Sequence, residues 1–391
     1  MFRVAVEMLM HDKTKYIGLF IGIGFTAFLV TFSMSFLAGF MSRGFALVSE
    51  NPTADIWVMD RAVSSPEATV NMSDGSLSLV RGVQGVAYAT PLYLGDVIAR
   101  YGDGNFQKFQ VIGVDDATLS GAPRSTNRLR LPDSVIIDSG GTSGKLQTPL
   151  YKKDMWAYDG SHLHVATREL HYGDKLLIND KRVMVADVSH TIARFPPRPL
   201  LYTTGSNFKR LIPSAKRYTT FIMVRSEQGV DAKKLAKAIS KQTGLKAITS
   251  QRFKKETVLW YLINSEDVGD MVNMVVLAML VGFGVTGVML YMFTYENIKQ
   301  YAVLKAMGAS NKQLRDMVFT QAFIGVIAGS GIGIAVAALI GVSISGSDFP
   351  FRMMWFAPLF GFLGVLIVSI TAAMISVRPI VKMEPAIVFK A

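Results

Sequence analysis

The sequence predicts an α-helical membrane protein with four transmembrane helices and an α+β extracytoplasmic domain inserted between spans 1 and 2. Three observations carry this. Four apolar runs are long enough to cross a bilayer, one near the start of the 391-residue chain and three after residue 268. A polar stretch of more than 200 residues separates the first run from the second. Within that stretch, strand-like apolar segments alternate with short helix-like ones, the pattern of a mixed α and β domain.

The elements follow in chain order. Residues 1–15 place Phe2, Ala5, Val6 and Leu9 on one helical side and Arg3, Glu7 and His11 on the other, as in an interfacial amphipathic helix. The first span, 16–41, has no charged residue over 26 positions. As a helix it reaches about 39 Å, enough to cross a hydrocarbon core of roughly 30 Å with tilt. Its long charged lead and the absence of a small-residue cleavage site favour a retained anchor over a cleaved signal peptide.

The inserted domain, 44–268, opens with a strand at 54–59 and a short helix at 73–83. Strands at 86–100 and 107–114 flank Gly102-Asp-Gly104, and a further strand covers 134–138. Residues 175–188 read as a hairpin turning at Asn179-Asp-Lys181. Segments 218–224, 231–243 and 245–250 alternate strand, helix and strand, which predicts a split βαβ unit. The remaining spans are 271–295, 318–342 and 354–377, and a tail occupies 378–391.

Lysine and arginine near the span ends set the orientation, because positively charged loops stay in the cytoplasm. Arg3, Lys13 and Lys15 precede the first span, Lys299, Lys305, Lys312 and Arg315 follow the second, and Arg378, Lys382 and Lys390 follow the fourth. The loop between the third and fourth spans has only Arg352. Both termini and the segment 296–317 are therefore expected on the cytoplasmic side of the membrane, and the large domain outside it. Trp260, Tyr261 and Trp355 are expected at the outer interface, and Tyr16, Tyr291 and Tyr295 at the inner one. The net charge is +12, and the inserted domain alone holds 29 Lys and Arg against 22 Asp and Glu, a net of +7. Such a surface suits anionic membrane lipids or an acidic partner, or is simply solvated. There are no cysteines, so the domain relies on no disulfides.

The sharpest local signal lies between the second and third spans. Residues 296–307 are rich in helix formers, with Ile298, Tyr301, Leu304 and Met307 at three-residue spacing. Gly308 supplies a left-handed cap, and Ser310 with Gln313 has capping-box spacing for the next helix. The expectation is a stiff cytoplasmic hairpin whose apolar row needs a surface to bury against, so a docking element is favoured over an ordinary loop.

This segment, Tyr301-Ala-Val-Leu-Lys-Ala-Met-Gly-Ala-Ser310, resembles the coupling-helix motif of ABC-transporter permeases of the MacB/FtsX type. The layout of one span, a large domain, three spans and a tail resembles that family over the whole chain. Ala54-Asp-Ile-Trp-Val58 and Val135-Ile-Ile-Asp138 are similar to its DevC-like branch. The resemblance implies a periplasmic domain of porter-like βαβ units. It also implies a homodimer or homologous heterodimer of permeases and contact with an ABC ATPase subunit through Glu296, Ile298, Tyr301, Ala302, Val303, Leu304, Lys305, Ala306, Met307, Gly308 and Ala309. DevC-like permeases imply in addition a membrane-fusion protein, an outer-membrane channel and a lipophilic cargo.

Other chemistry is disfavoured by the residues themselves. No Gly, four residues, then Gly-Lys-Ser or Gly-Lys-Thr occurs, and Gly144-Lys145 is followed by Leu146, so no phosphate-cradling loop is present. No cofactor is expected on this chain, with ATP and Mg on the partner ATPase, and no nucleic-acid partner is expected. The span cores lack Asp, Glu, Lys, Arg and His, which disfavours an ion relay. Asp270, beside Glu266 and Asp267, marks the outer mouth of the second span, as a gate or as a hydrated interface residue. Gly18 and Gly22, and Gly325, Gly329 and Gly333, recur at four-residue intervals that serve either dimerisation or packing within one bundle. His162, His164 and His171 lack ligand partners at metal spacing.

These readings predict a permease subunit of an ATP-driven exporter that transmits ATPase motion to its periplasmic domain. The alternatives are an FtsX-like transmitter controlling a periplasmic hydrolase, and a haem- or lipoprotein-handling permease of the same family.

Overall fold

A computed structural model describes residues 7, 13–101, 106–123, 127–142, 144–149, 167–344 and 349–382. Most of the expected interfacial helix at 1–15, the Gly102-Asp-Gly104 turn, His162, His164 and most of the tail lie outside the described residues. The chain divides into two compact units, Met1–Phe40 with Ser265–Ala391, and Met41–Asn264.

In the first unit four helices are long and apolar enough to cross a membrane: Tyr16–Gly44, Glu266–Glu296, Asn311–Ile344 and Phe356–Val381. The first belongs to a continuous helix Lys13–Gly44, and the fourth to a helix Phe356–Lys382 with Pro379 inside it. They bury a shared apolar core that includes Leu19, Ile23, Ala27, Leu290, Val326 and Val365.

Small residues set how closely these helices approach. A Cβ on Gly333 would lie 2.1 Å from Gly24 O, and one on Gly329 would lie 2.6 Å from Ile23 Cγ2. A Cβ on Gly325 would meet Ile23 at 3.0 Å. The third-span glycines therefore seat the first span within one bundle. Gly22 faces Met289 of the second span, whereas Gly18 has nothing within 4 Å of an added Cβ. Thr26 reinforces the first-to-second contact: its hydroxyl donates to Gly282 O at 2.7 Å and shares a hydrogen bond with Thr286 Oγ1 at 2.8 Å.

The second unit is built on a nine-stranded sheet. Its strands are β1 (Ile56–Met59), β3 (Val86–Arg100), β4 (Phe106–Val114), β5 (Ser134–Asp138), β8 (Lys175–Ile178), β9 (Lys181–Ser189), β10 (Leu200–Thr204), β12 (Phe221–Ser226) and β13 (Lys246–Thr249). Two small ladders pair β2 (Met72–Ser73) with β11 (Tyr218–Thr219), and β6 (Gln147–Pro149) with β7 (Thr167–Glu169).

At one end the order is β13-β1-β12-β3, with every neighbour antiparallel. The helix Ala232–Thr243 joins β12 to β13 around β1, which is the expected split βαβ unit. The helix Gly75–Arg81 joins β1 to β3 around β12, so a second unit interlocks with the first in a ferredoxin-like arrangement. Both helices cover one face, where Val80, Leu235 and Ile239 pack on Ile56, Val58, Ile222 and Val224. Trp57, Met59, Phe221 and Met223 point to the other face, which the helix Ser250–Asn264 covers through Phe253. A strand buried on both faces explains why Ile56-Trp-Val-Met59 shows no polar alternation.

The other end closes on itself. The order β3-β4-β10-β5-β9-β8 returns to β3 through Ala99↔Ile178 and Arg100↔Leu177, making a six-stranded barrel. Its interior is filled by residues of period two, including Val97 and Ala99, Phe109 and Val111, Val135 and Ile137, and Val183 and Val185. The helix Gly205–Leu211 adds Phe208, which lies so near Gly113 that a Cβ there would meet it at 2.8 Å.

Tyr261 corrects an expectation. It is 2% exposed, donates from its hydroxyl to Phe195 O at 2.7 Å, and is therefore a core residue of this unit, not an aromatic anchor at the membrane interface.

Candidate functional site

The segment joining the second and third spans is held rigid by its own backbone. Asn297 ends the second-span helix, its side-chain amide donating to Phe293 O at 2.8 Å. A short helix, Ile298–Ala306, follows. Gly308 adopts φ +99°, its N–H donates to Lys305 O at 3.1 Å, and the N–H of Ala309 donates to Leu304 O at 3.0 Å. Those two bonds are a Schellman cap, which satisfies the last carbonyls of the short helix. Ser310 N–H then donates to Gln313 Oε1 at 2.9 Å, and Gln313 N–H donates to Ser310 Oγ at 3.3 Å, completing a reciprocal capping box. The short helix is thus capped at its C-terminus and the next helix at its N-terminus, which fixes the turn between them.

The short helix has two faces with different tasks. Tyr301 and Ala302 are fully buried, and Ile298, Leu304 and Ala309 pack against the same core as Leu314, Met317 and Val377. Tyr301 donates its hydroxyl to Gln321 Oε1 of the third span at 2.6 Å, and burial pushes its ionisation upward. Lys305 Nζ donates to Val381 O at the end of the fourth-span helix at 2.8 Å. The opposite face is open: Val303 is 42% and Met307 71% exposed, and Lys299, Ala306 and Gly308 are exposed beside them. Lys299, Val303, Ala306 and Met307 stand at i, i+4, i+7 and i+8, one continuous stripe.

This arrangement corrects the reading of the apolar row. Ile298, Tyr301 and Leu304 find their burial surface inside the bundle, so only Met307 of that row, joined by Val303, remains available for docking. Three-residue spacing alone does not separate a face that packs inward from one that packs on a partner. Tyr301→Phe removes one buried hydrogen bond and is expected to cost about 1 kcal/mol, read as a lower melting temperature of the detergent-solubilised chain.

Glu296 is exposed at the end of the second-span helix. Asp270 is exposed near the start of that helix and makes no hydrogen bond or ion pair among the described residues. His171 lies in a polar cluster in which Arg168 clasps Asp174 through bonds of 2.7 and 2.6 Å. That hydrogen bonding holds the Asp174 carboxyl below its usual range. Among the described residues no three His, Cys, Asp or Glu side chains gather as metal ligands.

A buried polar network lies in the inserted domain. Arg194, 6% exposed, donates to Glu50 and, at 3.1 Å, to the Tyr202 hydroxyl. Glu50 also accepts from Ile192 N–H at 2.7 Å. Asp138, 1% exposed, accepts from Gly140 N–H at 2.8 Å, Thr191 N–H at 2.6 Å and Ser189 Oγ at 2.9 Å. Burial raises the Glu50 carboxyl despite Arg194, and pushes the Tyr202 hydroxyl up to about 12. Glu50, Ser189, Thr191 and Tyr202 border a cavity of about 560 Å³. Its partners are up to 144 positions apart, and no local spacing in the sequence announces them.

Residues 273–385 match the family model described as FtsX-like permease C-terminal. Comparison with curated proteins finds no match. Among solved structures the chain is similar to the periplasmic region of MacB from Actinobacillus actinomycetemcomitans. There the identity is 13%, with 52% of this chain and 92% of that one covered and a TM-score of 0.35. It is also similar to the extracellular domain of the noncanonic ABC-type transporter YknZ from Gram-positive bacteria, at 13% identity, 50% and 98% coverage and a TM-score of 0.31.

Proposed function

We propose that this chain, whose residues 273–385 match the FtsX-like permease C-terminal family model, is the membrane subunit of an ATP-driven exporter of the ABC type. The observation that carries the reading is the two-faced helix Ile298–Ala306. One side is locked into the span bundle by Tyr301 and Lys305, and the other presents Val303 and Met307. A capped helix of this kind moves as a unit with the spans it is bonded to. A force applied to its open face therefore passes to the third span through Gln321 and to the fourth through the carbonyl of Val381.

In this reading the open face receives a separate ATPase subunit, which holds ATP and Mg. The positively charged ends of the spans support a cytoplasmic position for that face and for both chain termini. The inserted domain then lies in the periplasm, where movement of the spans expels or extracts a substrate instead of carrying it through a four-helix pore. A second permease copy completes the unit. The resemblance to DevC-like permeases adds a lipophilic cargo, a membrane-fusion protein and an outer-membrane channel.

The double substitution Val303→Asp, Met307→Asp tests the reading. Both side chains are exposed, so insertion and folding are expected to be unchanged, while recovery of the ATPase with the affinity-purified chain falls at least tenfold. A fall of that size corresponds to about 1.4 kcal/mol, well within what two apolar contacts contribute. Recovery of the ATPase at the level of the unsubstituted chain would overturn the docking face.

A further inference from the structure

The geometry points to a binding site for an anionic phospholipid in the groove between the third and fourth spans, separate from the ATPase face. The groove encloses about 500 Å³ and is lined by Phe319, Ala322, Phe323 and Val326 from the third span and by Leu366, Ser369 and Ile370 from the fourth. Apart from Ser369 and Thr320 its lining is hydrocarbon. Thr320 donates its hydroxyl to Asp316 O at 2.8 Å. Both walls are helices long enough to span a bilayer, so the groove opens to lipid.

Charge selects among the occupants. Phe319, Phe323 and Val326 recur at i, i+4 and i+7, and continuing the same face towards the helix start reaches Arg315 at i−4 and Lys312 at i−7. Lys312 is exposed, and the Arg315 side chain is 53% exposed. The contact of Arg315 with Asp316 is long, at 3.9 Å, between two exposed groups. An apolar trough ending at two cations complements a lipid with a hydrocarbon tail and an anionic headgroup. A second copy of the chain related by an axis along the membrane normal would bring its own Lys312 and Arg315 to the same level, where like charges repel.

Ser369 supplies an independent sign. It is 1% exposed, and its hydroxyl has no hydrogen-bond partner among the described residues. Ser35 bonds back to Thr31 O at 2.7 Å and Thr294 to Leu290 O at 2.8 Å, whereas the buried hydroxyls of Thr31 and Ser376 are orphaned like that of Ser369. Of these three only Ser369 is in the groove lining, where the ester oxygen of a glycerolipid is an acceptor of the required kind.

The test uses the full chain reconstituted in nanodiscs of phosphatidylglycerol and phosphatidylcholine in equal amounts, then released into mild detergent for native mass spectrometry. Phosphatidylglycerol is expected to be retained in preference, and Lys312→Gln with Arg315→Gln to reduce its retention by about fivefold per cation removed. Ser369→Ala, which removes the orphaned hydroxyl without adding bulk at this buried position, is expected to weaken lipid retention without lowering the melting temperature. Equal retention of both lipids, or retention unchanged in these variants, would refute the site. So would efficient disulfide-linked dimerisation of Phe323→Cys in native membranes, since a second copy would then occupy the groove.

Discussion

Replacing Arg194 by alanine is expected to destabilise the inserted domain by about 3 kcal/mol or more, the range for breaking a buried ion pair from one side. The guanidinium is nearly sealed from solvent, and its loss leaves the largely buried Glu50 carboxylate without a countercharge and with Ile192 N–H as its remaining donor. The Tyr202 hydroxyl loses its donor as well. Burial already raises the Glu50 carboxyl above its usual value with Arg194 in place, so the variant raises it further. A carboxyl whose folded-state pKa lies above its unfolded value binds an extra proton in the folded state between the two values. Stability then falls as pH rises through that window, and the deficit of Arg194→Ala should shrink on acidification below neutrality. Urea unfolding followed by tryptophan fluorescence at pH 5 and pH 7.5 reads both effects. The paired substitution Glu50→Gln, Arg194→Met should recover most of the loss, because it leaves no uncompensated charge. A deficit that does not change with pH would mean that lost packing, not the stranded carboxylate, is the cause.

What the sequence could reveal depended on the range of the interaction. The four spans were legible because a run of about 20 apolar residues has few alternatives to crossing a bilayer. The caps around Gly308 and Ser310 were legible because a Schellman turn and a capping box are decided within six residues. The split βαβ unit was legible through the helix Ala232–Thr243, which is bracketed by Asp231 and by Gly244 in the left-handed region. Its interlocked twin was not, because the helix Gly75–Arg81 is short and β12 enters the sheet only after more than 100 intervening residues. Barrel closure rests on two residue pairs, Ala99↔Ile178 and Arg100↔Leu177, and nothing local in either strand encodes it. Tyr261 was misplaced for a related reason: an aromatic just before an apolar span has the composition of a membrane anchor, and only the tertiary contact with Phe195 reveals it as core. The coupling segment fell between these cases. Its helix and caps were visible, but which side of the helix faces inward was decided by Gln321 and Val381, far along the chain.

Gly333→Leu is expected to have the larger effect in the membrane unit, separating the first span from the third. The neighbour that a Cβ would strike is the backbone of Gly24, with its carbonyl oxygen at 2.1 Å and its carbonyl carbon at 2.9 Å, so no rotamer change on either helix relieves the clash. The helices must move apart by an ångström or more. That motion strips the contacts of Ile23 with Gly329 and Gly325, one and two turns away, and in lipid such close packing is a main source of association between helices. Overpacking of a tight core costs about 1–3 kcal/mol even where side chains can adjust, and here they cannot. Gly331→Ala is the matched control, since a Cβ there meets nothing within 4 Å on the same helix. The melting temperature of the detergent-solubilised chain should fall sharply for Gly333→Leu and stay within error for Gly331→Ala. Because the first span also bonds to the second through Thr26, the loosened helix should lose its hold on Gly282 and Thr286, and Thr26→Ala should add little in the Gly333→Leu background. Full additivity of the two substitutions would show that the first span stays seated without its glycine contact, and that the close approach at Gly333 is incidental to the bundle.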